Sequence, residues 1–214
     1  MLFSIFGFIG GILCCIGDIL FDFKGKGNQK LGTYGNIDSH WLKMSYWRFQ
    51  VSILFAFAGD VLAGLGIFSL AKQIADANTI LSTIMMICAY IGVIGGFFIH
   101  SCLCIQPVIY KKIMEEDNFH LANETLNAFY KTVFIPFFVG YIILMIPAVC
   151  TIIAILFGYL AVPKWFVLLN PIVFLIIGVL LRKIKYDWFY DLPGIIMPSL
   201  GLSMLGLIGI INLL

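Results

Sequence analysis

The sequence predicts an all-α polytopic bundle of six transmembrane helices, and its composition and long apolar segments are the evidence. Of the 214 residues, 62% are hydrophobic and 11% are charged, and the mean hydropathy is +1.05. A soluble domain has about 25% charged residues. The charges are too few to cover a soluble globule, and a net charge of +2 is too small to attract nucleic acid. We therefore expect a multi-pass cell-membrane protein whose surroundings are the lipid bilayer.

A membrane-spanning helix needs about 20 apolar residues, and six segments approach or exceed this length. They form one domain and cover residues 2–23, 49–70, 79–110, 132–162, 165–181 and 192–214. Pro136 and Pro147 are expected to kink the fourth segment. The fifth segment is short, and Asn170-Pro171 within it predicts a broken or tilted start.

Basic residues alternate between the loops and predict the orientation. The second and fourth loops carry only Lys72 and Lys164. The first, third and fifth loops carry eleven: Lys24, Lys26, Lys30, Lys43 and Arg48; Lys111, Lys112 and Lys131; Arg182, Lys183 and Lys185. This imbalance predicts that both chain termini are non-cytoplasmic.

The first and third loops are expected to differ in how much regular structure they contain. Residues 24–36 are rich in Gly, Lys and Asn and predict a flexible loop, after which Asp38-Ser39 is typical of a helix start. Residues 111–131 predict either an amphipathic helix or an extension of the neighbouring spans. All six cysteines lie in apolar runs, so we expect reduced thiols that pack as small apolar side chains.

Asp60 is the most informative ionisable residue because it lies near the middle of the second span. A charged group at the centre of a span costs at least about 2.5–3.5 kcal/mol, so such residues usually face the bundle interior or a cavity. Two interpretations remain open. Asp60 is either a hydrogen-bonded structural residue or a site for a proton, a cation or an amine.

Asp18, Asp22 and His100 are the other intramembrane candidates, near the cytoplasmic ends of their spans. Asp18 and Asp22 share one helical face, and the stripe Gly92, Gly96, His100 predicts a buried face for the histidine. His100 lies at about the depth of Asp18, and a hydrogen bond between them would orient the imidazole ring; a satisfied structural histidine is the alternative to a functional one. The aspartates could be solvated and paired with nearby lysines, or could bind a cation or act as acid and base.

His120 and Glu124 are secondary candidates because their spacing places them on one helical face. They could in principle join Asp18, Asp22 and His100 in a hydrolytic metal centre. The three histidines form neither H-x-x-x-H nor H-E-x-x-H, and residue 102 of His100-x-Cys102-x-Cys104 points away from the other two on a helix. We therefore predict no metal and no cofactor.

Residues 17–28, with the sequence GDILFDFKGKGN, and the later DSHWLKM from Asp38 to Met44 resemble an uncharacterised family of small bacterial integral membrane proteins with six spans. The resemblance covers roughly the first 75 residues and the Asn170-Pro171 segment. It implies a bacterial inner-membrane location and no known activity.

Three functions remain open. The leading hypothesis is a protein that binds or transports an amphiphilic, lipid-like or cationic small molecule in a polar intramembrane pocket containing Asp18, Asp60 and His100. The second is a membrane-embedded lipid-modifying enzyme that acts at the cytoplasmic interface, and the third is a non-catalytic membrane subunit. The ligand and the oligomeric state cannot be read from the sequence.

Overall fold

The computed structural model describes residues 1–183 and 192–214 and contains six α-helices within those ranges. They are α1 (Leu2–Asp22), α2 (Tyr46–Ile74), α3 (Thr79–Met114), α4 (Phe119–Leu156), α5 (Pro171–Leu181) and α6 (Leu192–Ile211). The predicted all-α class is therefore confirmed. Lys185, one of the basic residues used to predict the orientation, lies outside the described residues.

Five of these helices, all except α5, are long and apolar enough to cross a membrane, which indicates an integral, multi-pass membrane protein. α5 has 11 residues and is about 16 Å long, which is too short to cross the hydrocarbon core as described. The predicted fifth span is divided, because Lys164–Leu168 forms a separate 3₁₀ turn. The buried Asn170 caps α5 by accepting a hydrogen bond from the Ile172 backbone N–H at 3.0 Å, which explains the broken start.

Glycines allow α1, α2 and α6 to approach each other at backbone distance. A Cβ placed on Gly7 would lie 2.4 Å from the Cα of Gly66 in α2 and 3.4 Å from the Cα of Gly206 in α6. Further along α1, a Cβ on Gly11 would lie 2.3 Å from the backbone nitrogen of Ser203. These three helices form a tightly packed unit in the way that small-residue stripes allow in membranes.

The first loop is structured, contrary to the flexible loop expected from its composition. β1 (Lys30–Leu31) pairs antiparallel with β2 (Ile37–Asp38), and a 3₁₀ turn, Ser39–Lys43, follows. Gly32 and Gly35 have positive φ angles of 81° and 62°, a conformation that glycine adopts without strain. We call residues 24–43 the cap, because they cover one end of the helical bundle.

Contacts with α4 hold the cap in place. The Thr33 backbone N–H donates to Asn123 Oδ1 at 3.0 Å, and Asn127 Nδ2 donates to Thr33 Oγ1 at 3.1 Å. Tyr34 stacks on Tyr130 with ring centroids 5.7 Å apart. α3 reaches the cap because it continues to Met114, and α4 reaches it because it begins at Phe119. Residues 111–131 therefore mainly extend the neighbouring helices.

Candidate functional site

A cavity of about 560 Å³ lies within the helical bundle and extends to the cap. Its walls are mainly apolar and come from all six helices. Asp18, Asp22, Asp60 and His100 all line it. The structure therefore brings the four main sequence candidates to one cavity, although three different helices carry them.

Asp60 lies at the deep end of the cavity, near the middle of α2. The absence of a side chain at Gly96 on α3 makes room for it, since a Cβ at that position would lie 3.1 Å from both carboxylate oxygens. The Cys14 thiol donates to Asp60 Oδ1 at 3.6 Å. Among the described residues, Asp60 has no Lys or Arg within ion-pair distance.

Asp18 and His100 lie next to each other. Asp18 is about one turn before the C-terminal end of α1. His100 Nδ1 is 3.6 Å from Asp18 Oδ1, which is slightly longer than a hydrogen bond. The Ser199 hydroxyl of α6 donates to the other carboxylate oxygen, Asp18 Oδ2, at 2.5 Å. The expected proximity of Asp18 and His100 is present, with Ser199 as an additional partner.

Ser52 fixes the orientation of the His100 ring. Its hydroxyl donates to the Gly17 carbonyl at 2.7 Å and lies 2.7 Å from His100 Nε2. Because the single hydroxyl proton is directed to Gly17, His100 Nε2 must carry a proton and donate to Ser52. His100 Nδ1 therefore faces Asp18 Oδ1 at 3.6 Å.

Asp22 is near the cap end of the cavity and is paired. Lys24 forms an ion pair with Asp22 and also lies 3.1 Å from Asp38 Oδ2, while Arg182 NH2 is 3.4 Å from Asp22 Oδ2. Asp22 thus fits the solvated, lysine-paired alternative. The deeper Asp18 and Asp60 have no such cation among the described residues.

Asp38 ties the cap together and is ionised at neutral pH. Burial alone would raise the pKa of this carboxyl, but Lys24, the Asn28 amide and Lys30 outweigh burial and hold the pKa below its ordinary value. Asn28 Nδ2 donates to Asp38 Oδ1 at 2.6 Å, and Lys30 Nζ lies 3.0 Å from the same oxygen. Within the cap, Asp38 therefore lies between Lys24 and Lys30 and pairs with both.

The secondary candidates lie away from the cavity. His120 Nδ1 is 3.5 Å from Glu124 Oε2 on the outer surface of α4, with side chains 83% and 64% exposed. They pair with each other, as their spacing predicts, and do not join Asp18, Asp22 and His100. Within residues 1–183 and 192–214, no group of three or more potential ligands could hold a metal ion.

One side of the cavity is bordered by α4 and α5, which are loosely packed against each other. Val179 of α5 lines the cavity and is nevertheless 54% exposed. Phe137 and Tyr141 line the same cavity from α4. In the described parts of the chain, α4 and α5 touch at few points, so the wall of the cavity is loosely packed beside Val179.

Several polar residues of the site were missed by sequence reasoning. Ser52, Gln106, Trp41 and Cys14 carry no motif, and a serine or cysteine in an apolar span is indistinguishable from a packing residue. Ser199 was visible only as part of a small-residue stripe with Ser203. Helical spacing does not predict the hydrogen-bond partners of Asp60 and His100, because Cys14 lies on α1 and Ser52 lies on α2.

Comparison with known proteins identifies the family without adding an activity. The model of a family described as "Family of unknown function (DUF6796)" matches residues 1–214, so the chain belongs to that family. Neither the curated proteins nor the solved structures provide a match. The predicted membership of an uncharacterised family is thus confirmed, and the match extends beyond the first 75 residues to the whole chain.

Proposed function

We propose that this membrane protein binds a cationic amphiphile in its intramembrane cavity, as the binding step of transport. The observation that carries the proposal is the position of Asp18 and Asp60. Both line one cavity with apolar walls, and neither is paired with Lys or Arg among the described residues. An amine supplies the missing positive charge, and an alkyl chain fits the apolar walls, including the loosely packed wall beside Val179.

The proposed orientation places the cap in the cytoplasm and both termini outside. It rests on the positive-inside distribution and on the gathering of Lys24, Lys30, Lys111 and Arg182 at the cap end. A fusion of alkaline phosphatase to the C-terminus is expected to be active, and a fusion of green fluorescent protein at that position is expected to be dark. The reverse pattern would contradict the orientation. In this proposal α5 and the preceding 3₁₀ turn, Lys164–Leu168, together form a sixth membrane passage.

The binding proposal can be tested with octadecylamine. The purified full-length protein is placed in nanodiscs, and exchange of the radiolabelled amine between protein-containing and empty nanodiscs is measured at pH 7. Saturable binding is expected. Asp60→Asn and Asp18→Asn should weaken it about tenfold or more, since removing one partner of a buried charge pair costs about 2–5 kcal/mol.

Asp76→Asn is the matched control because Asp76 is exposed and does not line the cavity. It should bind the amine like the wild type. No saturable binding by the wild type, or equal weakening by Asp76→Asn, would count against the proposal.

A lipid-modifying enzyme remains a second candidate, favoured by the Asp18–His100 pair in a cavity with a loosely packed wall. Such a pair could act as acid and base toward a lipid headgroup. Incubation of the protein with bilayer lipids and mass spectrometry of the products tests this candidate, with His100→Gln as the inactive reference. The non-catalytic subunit hypothesis predicts no cavity, so the cavity supports the first two candidates over it.

A further inference from the structure

Asp18 Oδ1 and His100 Nδ1 face each other without a hydrogen bond between them. The two atoms are 3.6 Å apart, and the Asp18 and His100 side chains are 25% and 13% exposed. Within the described residues, neither atom has a hydrogen-bond partner, and neither is among the unpaired atoms that are inaccessible. Both atoms are therefore accessible, and both residues line the cavity.

Hydrogen bonds on the far side of the imidazole ring determine what Nδ1 can do. The Ser52 hydroxyl donates its single proton to the Gly17 carbonyl at 2.7 Å, so it accepts from His100 Nε2 at 2.7 Å. A neutral imidazole has one donor and one acceptor nitrogen, and the bond made by one nitrogen sets the role of the other. In neutral His100, Nδ1 is therefore an acceptor, and it faces a carboxylate oxygen that is also an acceptor.

Two acceptors at this distance need a hydrogen-bond donor, and an alkylammonium group suits them. A primary ammonium has three N–H donors and a positive charge, so one nitrogen can donate to both atoms and neutralise the carboxylate. A nitrogen at hydrogen-bond distance from each atom, about 2.9 Å, fits their separation of 3.6 Å. The other carboxylate oxygen, Asp18 Oδ2, already accepts from the Ser199 hydroxyl at 2.5 Å, which leaves Oδ1 free for a ligand.

We propose that Asp18 Oδ1 and His100 Nδ1 select ligands by their N–H groups, so that the cavity binds a primary amine in preference to a quaternary ammonium. This inference rests on the proposed function and assigns the specificity of that site. The amine takes the place that a proton on Nδ1 would otherwise occupy. A quaternary ammonium carries the same charge but has no N–H, so it leaves both acceptors unpaired. Ser52 is the positioning residue, because its hydrogen bonds keep Nδ1 an acceptor.

The test compares three C18 cations in the nanodisc exchange assay. Protonated octadecylamine has three N–H donors, protonated dimethyloctadecylamine has one, and octadecyltrimethylammonium has none. The wild type is expected to bind octadecylamine at least about tenfold more tightly than octadecyltrimethylammonium, because a site built to hydrogen-bond an N–H disfavours an analogue that lacks it. The dimethyl compound is nearly as bulky as the trimethyl compound and should bind more tightly than it, which separates the effect of N–H donors from that of size.

Ser52→Ala tests the positioning role. Without the serine oxygen, the imidazole proton should move to Nδ1 and bond to Asp18, and the preference for octadecylamine should be largely lost. Nitrogen NMR of protein labelled in its histidine rings, with octadecylamine bound, reports which nitrogen is protonated; the His100 signals are assigned by their loss in His100→Gln. Ser69→Ala is the matched control, because Ser69 is on the same helix, pairs with Ser4 and does not line the cavity. It should keep the wild-type tautomer and preference.

The outcomes separate this inference from the proposed function. Equal wild-type affinities for octadecylamine and octadecyltrimethylammonium would overturn the selection by N–H groups while the cation site stands. Equal affinities for the dimethyl and trimethyl compounds would assign the preference to size and also overturn it. A proton on His100 Nδ1 in the amine-bound wild type, or full preference in Ser52→Ala, would reject the role of Ser52. Saturable binding of none of the three cations would overturn the proposed function itself.

Discussion

The contact between Gly7 of α1 and Gly66 of α2 makes a quantitative prediction about stability. An alanine Cβ at position 7 would lie 2.4 Å from the Gly66 Cα, whereas ordinary contacts begin at 3.4 Å. The two backbones would have to separate by about 1 Å. No flexible side chain can yield, because the nearest atoms in α2 belong to the main chain.

We expect Gly7→Ala to lower the free energy of unfolding by about 1–3 kcal/mol, the usual cost of overpacking a filled interior. The higher helix propensity of alanine, worth about 1 kcal/mol, opposes this cost and is outweighed. Unfolding of the purified protein by sodium dodecyl sulfate in mixed micelles, followed by circular dichroism, measures the change.

Gly95→Ala on α3 is the matched control. The nearest atom to its Cβ would be the Gly140 Cα at 3.9 Å, an ordinary contact. It should be neutral or slightly stabilising. If Gly7→Ala and Gly95→Ala change stability equally, the close approach of α1 and α2 does not determine the packing of this bundle.

Two further predictions concern the cap end. Arg48 donates from Nε to the Leu20 carbonyl at 2.9 Å and from NH2 to the Phe23 carbonyl at 2.8 Å, so Arg48→Met should leave these carbonyls unpaired, cost about 1–3 kcal/mol and speed amide exchange in the last turn of α1. For Asp38, the folded-state pKa lies below the ordinary value of about 3.9. The contribution of Asp38 to the stability of the folded state is therefore complete above the ordinary pKa and is lost as pH falls through the lower, folded-state pKa. The protection of cap amides relative to their intrinsic exchange rates should therefore fall in acid, and Asp38→Asn should show reduced protection already at pH 7; protection equal to that of the wild type would contradict this.

The membrane character and most helices could be predicted from the sequence because they depend on local composition. A run of about 20 apolar residues has few alternatives to a spanning helix, and Asn170-Pro171 is a local signal for the start of α5. Residues 24–36 of the cap were predicted to be flexible because their Gly, Lys and Asn content is typical of loops. The order of the cap depends on α4, through Asn123 and Asn127, which are about 90 residues away in the sequence.

The candidate site was predictable only for residues that are costly in a membrane. Asp60 and Asp18 stand out because placing a carboxylate in an apolar membrane segment costs free energy. Ser52 does not, yet it determines which nitrogen of His100 faces Asp18. Such a role requires α1, α2 and α3 to meet at one level, and the register between helices cannot be read from the spacing within each of them.

The placement of charges, rather than their total, supports the proposed cationic ligand. The chain has a net charge of only +2, which does not indicate a partner of either sign. At the cap, however, Lys24 and Lys30 are held by Asp22 and Asp38. The unpaired carboxylates lie deeper, where the apolar surroundings strengthen electrostatic attraction. In the proposed function, an amine at Asp18 and Asp60 would meet no competition from the described lysines, and selectivity for a cation would follow from the depth of these two carboxylates.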